Sequence, residues 1–303
     1  MENKYIGSLV GLASGDALGF AAYTNKGIFT SVMDMPESSI YKAGEWTDDT
    51  SLALCLLESL VEKGFNPRDQ LFRYAKWLHR GYMSSTGITF DIGRTIEASV
   101  NQFILTGKRY TTLIHPTQVG NGALMRLSPV PLYFINNPKK AMLFSGISSK
   151  TTHGHPYSIH ACRYFSGLII GALLGESKET LLSDNYTPVP KFWRYHPLPY
   201  EVANITNGSF KDKTSEDINP SGYVIHTLES ALWAFYNSDT FEDGLLLATN
   251  LGGDRDTIGA VYGQLAGAYY GVENIPEKWV STIAKKELII DFAKRLYRKS
   301  QFV

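Results

Sequence analysis

The chain lacks the features that mark disulfide-rich, membrane-spanning and nucleic-acid-binding proteins. Only two cysteines, Cys55 and Cys162, occur in 303 residues, which excludes a disulfide framework and suits a reducing compartment. A membrane-spanning helix needs about 18 apolar residues, whereas the longest apolar run after the N-terminal region covers only residues 167–175. Basic and acidic residues number 29 each, so no basic excess is available to bind nucleic-acid phosphate. We therefore expect a soluble, cytoplasmic protein with no membrane span and no nucleic-acid partner.

The N-terminal residues 6–22 are apolar and follow Lys4, an arrangement that also occurs in signal peptides. Asp16 and several glycines interrupt this stretch, and no clear cleavage pattern follows it. We therefore predict a buried first helix here rather than a targeting segment.

Helical periodicity is the dominant pattern of the remaining chain, whereas strand-like alternation is scarce. Leu52, Leu56 and Leu60 recur at four-residue steps, and Pro67 and Gly81 bracket the next apolar stripe. Further helices are predicted over residues 90–106, 123–135, 138–149, 157–174, 223–236, 241–251, 258–270 and 276–299. We predict an all-α fold in which short helices are joined by glycine-rich turns.

No shift of composition marks a domain boundary, so we predict a single domain over residues 1–303. Residues 183–221 differ from the rest of the chain in composition, since they are rich in Pro, Asn, Asp and Ser and include several aromatic residues. Loops of this length in compact domains are often functional. We interpret the segment as a long loop packed by its aromatic residues or as a lid.

A first cluster of oxygen-bearing side chains, Thr47, Asp48 and Asp49, immediately precedes an apolar helix. Threonine and aspartate are preferred at helix N-termini, so the cluster could simply cap the helix. Two adjacent carboxylates are more than one cap requires, however. They repel each other unless a cation or hydrogen-bond donors compensate their charges.

A second cluster, Asp254, Asp256 and Thr257, follows Gly252 and Gly253 and also precedes an apolar helix. Taken alone, it too could be a helix cap. If the fold brings both clusters together, four aspartates and two threonines surround one small space, which is unfavourable without metal ions. Hard oxygen ligands favour Mg²⁺ or Mn²⁺ over zinc or copper. Four acids can neutralise two divalent ions, and such a pair can orient a water and lower its pKa.

Four motifs, in their order along the chain, resemble those of the ADP-ribosylglycohydrolase family. They are GDALG at residues 15–19, WTDDT at 46–50, GNG at 120–122 followed by Met125 and Arg126, and GGDRDTIGA at 252–260. Shorter similarities at residues 221–228 and 268–279 extend the resemblance over nearly the whole chain. The resemblance implies an orthogonal bundle of helices with a binuclear Mg²⁺ or Mn²⁺ centre, which cleaves the glycosidic bond between ADP-ribose and an acceptor.

The resemblance also implies roles for individual residues of these motifs. The implied metal ligands are Thr47, Asp48, Asp49, Asp254, Asp256 and Thr257. The implied contacts to ADP-ribose are Gly120, Asn121, Gly122, His153 and Tyr223. Asp91 matches an acid near the scissile bond of arginine-specific members, so Asp48, Asp49 and Asp91 are the candidate proton acceptors. An ADP-ribosylated protein, modified on arginine, or an ADP-ribose derivative is the expected substrate.

Several of these implied positions have a simpler alternative. The alternatives are an ordinary Asn-Gly turn at residues 120–122, a structural role for His153, another helix cap at Asp91 and simple packing by Tyr223. His153 and His155 have the spacing of a metal pair on a strand. No thiol or third histidine accompanies them, so we do not predict zinc there.

One position departs from the family pattern. Members commonly carry a glutamate four residues after the first motif, where this chain has Tyr23, and Glu37 or Glu45 could substitute for it. The departure leaves other functions open. They are an ADP-ribose-binding relative with little or no hydrolase activity, a hydrolase of serine-linked or free ADP-ribosyl derivatives, and a structural role on this scaffold.

Overall fold

The computed structural model describes residues 1–24, 32–35, 37 and 41–303, without the side chains of residues 22–24. These ranges contain fifteen α-helices and no strand longer than the single bridge between Gly120 and Tyr223. The helices are α1 (Glu2–Thr24), α2 (Asp48–Lys63), α3 (Pro67–Arg80), α4 (Arg94–Thr106), α5 (Pro129–Tyr133), α6 (Pro138–Ser149), α7 (Pro156–Leu174), α8 (Lys178–Leu181), α9 (Phe192–Tyr195), α10 (Tyr200–Thr206), α11 (Val224–Tyr236), α12 (Phe241–Asn250), α13 (Arg255–Tyr270), α14 (Glu277–Thr282) and α15 (Lys286–Ser300). The prediction of an all-α chain is confirmed.

Two predicted helices are wrong in extent. Residues 123–135 form a series of turns followed only by α5, because Pro129 lacks an amide hydrogen and begins a new helix at its first position. The predicted helix over residues 276–299 is divided into α14 and α15. Between them Lys285 adopts a left-handed conformation with φ 49°, and the amide of Ala284 donates to Gly44 instead of continuing the helix.

The segment over residues 183–221 contains α9, α10 and a short 3-10 turn. Phe192 and Phe210 of this segment are buried, and the indole nitrogen of Trp193 donates to the carbonyl oxygen of Tyr186 at 3.2 Å. Its aromatic residues therefore pack it against the helices, while movement as a lid stays a prediction.

Helices α1 and α13 lie antiparallel and contact each other through their backbones. The facing pairs are Gly7 with Gly267, Gly11 with Gly263 and Gly15 with Gly259. A Cβ atom added at Gly263 would lie 1.9 Å from the carbonyl oxygen of Gly11, so no larger residue fits at this separation. The same row ends at Gly19, which faces the backbone of Asp256. This glycine contact thus places the N-terminus of α13, with the second acid cluster, against the C-terminal half of α1.

One large apolar cluster surrounds these two helices and extends from Tyr5 to Leu296. Trp46 and Trp279 are among its largest fully buried side chains. Cys55 and Cys162 are both buried and free. Within the described ranges, none of the helices combines the length and apolar character needed to cross a membrane.

Candidate active site

A buried carboxylate of α1, Asp16, fixes the first acid cluster at the start of α2. Its Oδ1 accepts hydrogen bonds from the amide and hydroxyl of Thr47, both at 2.9 Å. Its Oδ2 accepts from the amide and hydroxyl of Thr50, at 3.0 and 2.6 Å. Four donors on one carboxylate hold the first turn of α2 against α1. This role of Asp16 was not predicted from the sequence, although a lone acid within an apolar helix was a signal for it.

Thr47 is the N-cap residue of α2, so the capping interpretation of the first cluster is correct in part. Its hydroxyl oxygen lies 3.5 Å from the amide of Asp49, which is a long hydrogen bond. Because this hydroxyl donates its hydrogen to Asp16, lone pairs of the same oxygen remain for a cation. Asp48 and Asp49 are buried at the same helix start.

The second cluster does not cap its helix through side chains. Asp254 is the N-cap residue of α13 but makes no capping hydrogen bond, and its Oδ2 accepts from the amide group of Asn121 at 2.6 Å. Asp256 Oδ1 accepts from the backbone amide of Thr257 at 2.9 Å. The hydroxyl of Thr257 in turn lies 3.4 Å from Asp49 Oδ1. The fold therefore brings the two clusters together across 208 residues of sequence.

Burial makes these acids costly to ionise. It is the main cause that raises the pKa of Asp48, Asp49 and Asp256 well above the ordinary value, and neighbouring carboxylates raise these pKa values further. Burial also raises the pKa of Asp254, and it raises the pKa of Asp16 to about 6 in spite of its four donors. A nearby cation would reverse these shifts.

The donor set suits a hard divalent cation. Asp49 Oδ2 is buried and has no hydrogen-bond partner, so this oxygen is available as a ligand. Its neighbours are carboxylate and threonine oxygens, the types that Mg²⁺ and Mn²⁺ prefer. Among the described residues, however, no three acidic, histidine or cysteine side chains already converge as a complete metal-binding group. The side chains are adjacent but are not closed around a common point.

A cleft of about 560 Å³ extends from the acid clusters. Its wall includes Asp48, Asp254 and Thr257 of the acid clusters and the first turn of α4. Helix α4 begins after Gly93, which supplies no side-chain cap, so amide groups of its first turn remain for a ligand. Such a helix N-terminus favours an anion.

The loop of residues 120–122 forms another part of the cleft wall and is tied to two helices. The Asn121 backbone amide donates to Gly222, and its side-chain amide donates to Thr227 and Asp254. A Cβ atom at Gly122 would lie 2.8 Å from the His153 ring. Hydrogen bonds therefore fix the loop within the site, and a side chain at position 122 would collide with the ring of His153.

His153 is buried and lies in the cleft wall. Its Nδ1 is 2.9 Å from the hydroxyl of Thr152. Burial, assisted by the charge of Arg126, lowers the pKa of His153 to about 3, so the imidazole is neutral. Arg126 itself is buried and donates to the carbonyl oxygen of Gly122 and to Thr152. His155 is separate from this group, since its Nδ1 accepts from a backbone amide at the start of α7.

Tyr223 lies beside the cleft, and its neighbour Gly222 forms the wall. The Tyr223 hydroxyl donates to Glu201 at 2.6 Å, and its ring contacts His226 edge-on at 5.0 Å. This environment is that of a packed, partly buried tyrosine. Stacking of Tyr223 on a substrate stays a prediction.

Asp91 is exposed and lines both this cleft and a second, adjoining cavity. It adopts a left-handed conformation with φ 53°, which is uncommon for a residue other than glycine. The cap of α4 is Gly93, so Asp91 is not the helix cap that was its alternative interpretation. Strained backbone of this kind often occurs at functional sites.

The replacements considered for the missing glutamate do not reach the cleft. Glu45 accepts from the amide of Lys42 in a local turn, and Glu37 is exposed. Neither forms part of the wall of the two cavities. The side chain of Tyr23 lies outside the described residues. Among the described residues that line the cleft, Asp91 is therefore the one acid outside the two acid clusters, and it is exposed.

The chain belongs to the ADP-ribosylglycohydrolase family, whose sequence profile matches residues 1–302. It is thus an enzyme that hydrolyses the glycosidic bond of ADP-ribosyl groups, as the family resemblance predicted. The family uses divalent metal ions.

Individual relatives are similar over most of their length. The chain is 38% identical to the ADP-ribosylarginine hydrolase Tri1 of Serratia proteamaculans, over 97% of this chain and 79% of that protein. It is 28% identical to the ADP-ribosyl-[dinitrogen reductase] glycohydrolase of Rhodospirillum rubrum, over 94% and 92% of the two chains. A solved structure named as an ADP-ribosylglycohydrolase-related protein complex has 37% identity and a TM-score of 0.83, with 99% and 98% of the two chains covered. The predicted fold class is therefore confirmed.

Proposed function

We propose that this protein releases ADP-ribose from ADP-ribosylated arginine on proteins, and that two Mg²⁺ or Mn²⁺ ions act at the paired acid clusters. The contact between Thr257 and Asp49 is the observation that carries the proposal, because it unites two buried acidic helix starts that repel each other. Arginine is proposed as the acceptor because a relative with 38% identity is named an ADP-ribosylarginine hydrolase. Action in the cytoplasm is a prediction from composition.

Six oxygen-bearing side chains would hold the two ions. They are Thr47, Asp48, Asp49, Asp254, Asp256 and Thr257. Asp16 would keep the first three in place from behind, since all four of its hydrogen bonds come from the first turn of α2. When bound, the ions supply positive charge next to the scissile bond and lower the pKa of a water.

The cleft supplies the contacts for the ADP-ribosyl group. The open first turn of α4 and the loop of residues 120–122 would bind the diphosphate through backbone amides. Asn121 is held between α11 and α13 by hydrogen bonds to Thr227 and Asp254, so the loop is fixed before a ligand arrives. His153 would contribute as a neutral donor or acceptor, since its lowered pKa prevents protonation near pH 7.

Asp91 is the proposed proton acceptor outside the metal centre. Glycosidic cleavage passes through an oxocarbenium-like state, and a carboxylate takes the proton of the attacking water. Asp91 suits this role because it lines the cleft and is exposed, whereas Asp48, which also lines the cleft, and Asp49 are buried among other acids.

The test is release of ADP-ribose from an arginine-ADP-ribosylated protein in Mg²⁺, in Mn²⁺ and in chelator. Asp256→Asn should abolish both release and the thermal stabilisation by Mn²⁺ alone, whereas Asp212→Asn, an exposed acid outside the site, should change neither. Equal release with and without chelator would contradict the metal centre. Release only from serine-linked or free ADP-ribosyl compounds would contradict the arginine acceptor, and ADP-ribose binding without any release would favour the binding protein.

A further inference from the structure

A second cavity, of about 480 Å³, adjoins the second acid cluster. Its wall combines aromatic rings and carboxylates. The residues are Phe20, Tyr41, Phe90, Asp91, Gly253, Asp254 and Asp256. Asp91 and Asp254 also line the first cleft, so the two cavities meet at the proposed reaction centre. A substrate that spans this junction would extend one part into each cavity.

The three rings form a compact group. The ring centroids of Phe20 and Tyr41 are 4.6 Å apart, and each lies 5.3–5.4 Å from that of Phe90. Phe20 follows Gly19, the last glycine of the α1 contact, and Phe90 precedes Asp91 directly. The backbone segments that hold the aromatic group thus also place the acids of the junction.

We infer that this second cavity is the acceptor subsite and that its aromatic rings bind the guanidinium group of the modified arginine. The inference rests on the proposed function and names the residues that recognise its acceptor. A guanidinium group is planar and weakly hydrated, so it stacks on aromatic faces and pairs with carboxylates. A guanidinium group bound beside Asp91 and Asp254 would place the bond between arginine and ribose where the two cavities meet.

The opposite orientation, with the nucleotide in the aromatic cavity, is disfavoured by the absence of anion-binding groups from the described wall of that cavity. Each cavity has three carboxylates in its wall, and Asp91 and Asp254 belong to both, so the carboxylates do not decide the orientation. The first cleft in addition offers the start of α4 and the amide donors near Asn121, which can bind a diphosphate. Arg126 is buried behind this loop and adds positive charge on that side.

The experiment compares Phe90→Leu and Tyr41→Leu, which remove a ring at similar volume, with Phe90→Tyr, which keeps the ring. Phe72→Leu is the matched control, because Phe72 is an exposed ring of α3 outside both cavities. Two quantities are measured for each protein: kcat/KM for the arginine-ADP-ribosylated protein, and the Ki of free ADP-ribose as product inhibitor. Thermal unfolding reports whether each variant is folded.

The two leucine variants at the cavity should lose about 3- to 30-fold in kcat/KM, the range of one cation–π contact. Their Ki for ADP-ribose should stay at the wild-type value, Phe90→Tyr should lose less kcat/KM than Phe90→Leu, and Phe72→Leu should retain wild-type kcat/KM. An equal weakening of ADP-ribose would overturn the inference by assigning the rings to the nucleotide. Unchanged kcat/KM in folded leucine variants would overturn it as well. A wild-type protein that releases nothing from arginine would instead refute the proposed function.

Discussion

Replacement of Gly263 by alanine should destabilise the protein, because α1 and α13 are in backbone contact there. The added Cβ atom would lie 1.9 Å from the carbonyl oxygen of Gly11 and 2.4 Å from its carbonyl carbon, whereas contacts below 3.0 Å essentially never occur. Both opposing atoms belong to a helix backbone, so no flexible side chain can move aside. The two helices must separate.

The magnitude follows from two opposing effects. Overpacking of a core costs about 1–3 kcal/mol, and a shift of two buried helices belongs at the upper end. Alanine in place of glycine returns about 1 kcal/mol through helix propensity. The expected net loss is about 2 kcal/mol in the free energy of unfolding. It corresponds to a decrease of roughly 3 °C in Tm for a protein of this size.

The matched control is Gly167→Ala in the middle of α7. There the nearest atoms to an added Cβ are side-chain atoms of Pro188 at 3.3 Å and Met142 at 3.5 Å, so the same gain in helix propensity meets little resistance. This variant should be neutral or stabilised by up to about 1 kcal/mol. The assay is thermal unfolding in chelator, with circular dichroism as the readout. A Gly263→Ala protein that melts at or above Gly167→Ala would refute the backbone-contact argument.

Three further predictions concern the acids and the buried histidine. Asp16→Asn should weaken Mn²⁺ binding and cost about 1–3 kcal/mol of stability, because an amide nitrogen cannot accept from Thr50; a Mn²⁺ titration and urea unfolding measure both. His153→Gln should leave the shape of the pH–rate profile between pH 5 and pH 9 unchanged, since a pKa of about 3 keeps this imidazole neutral; a lost inflection would contradict this. In chelator, the protein should become less stable as pH rises, because burial raises the folded-state pKa values of these acids, to about 6 for Asp16. The stability that the acids contribute is complete below their unfolded-state pKa and is lost as pH rises through their folded-state pKa. Mn²⁺ should therefore raise Tm more at pH 8 than at pH 5, and a larger effect at pH 5 would disprove this linkage.

The sequence allowed the local parts of the site to be predicted, because short-range chemistry determines them. Pro67 and Gly81 mark the limits of α3, and the threonine and aspartates at residues 47–49 mark the start of α2. The similar composition of the two acid clusters pointed to a metal site on the condition that the fold brings them together, and the contact between Thr257 and Asp49 meets this condition. The two acid clusters considered together thus indicated a metal site, whereas each cluster alone could have been a helix cap.

The parts that could not be predicted depend on tertiary contacts. Asp16 binds Thr47 and Thr50 from another helix, and nothing in its neighbours along the chain identifies these partners. The glycines of α1 interrupt the apolar pattern, and their function becomes visible only opposite the glycines of α13. The cavity containing Phe20 and Phe90 likewise joins segments far apart in sequence.

The glycine contact and the acid clusters are physically connected, which leads to a last prediction. Buried carboxylates repel one another, so a loosely packed helix pair would relieve the repulsion by moving apart. Backbone contact from Gly11–Gly263 to Gly19–Asp256 prevents this movement and keeps the acids close before a cation binds. Gly263→Ala should therefore weaken Mn²⁺ binding, measured by calorimetry at a temperature where the variant is fully folded. Gly167→Ala should bind Mn²⁺ like the wild type, and equal affinities in all three proteins would show that the acids are positioned independently of the glycine contact.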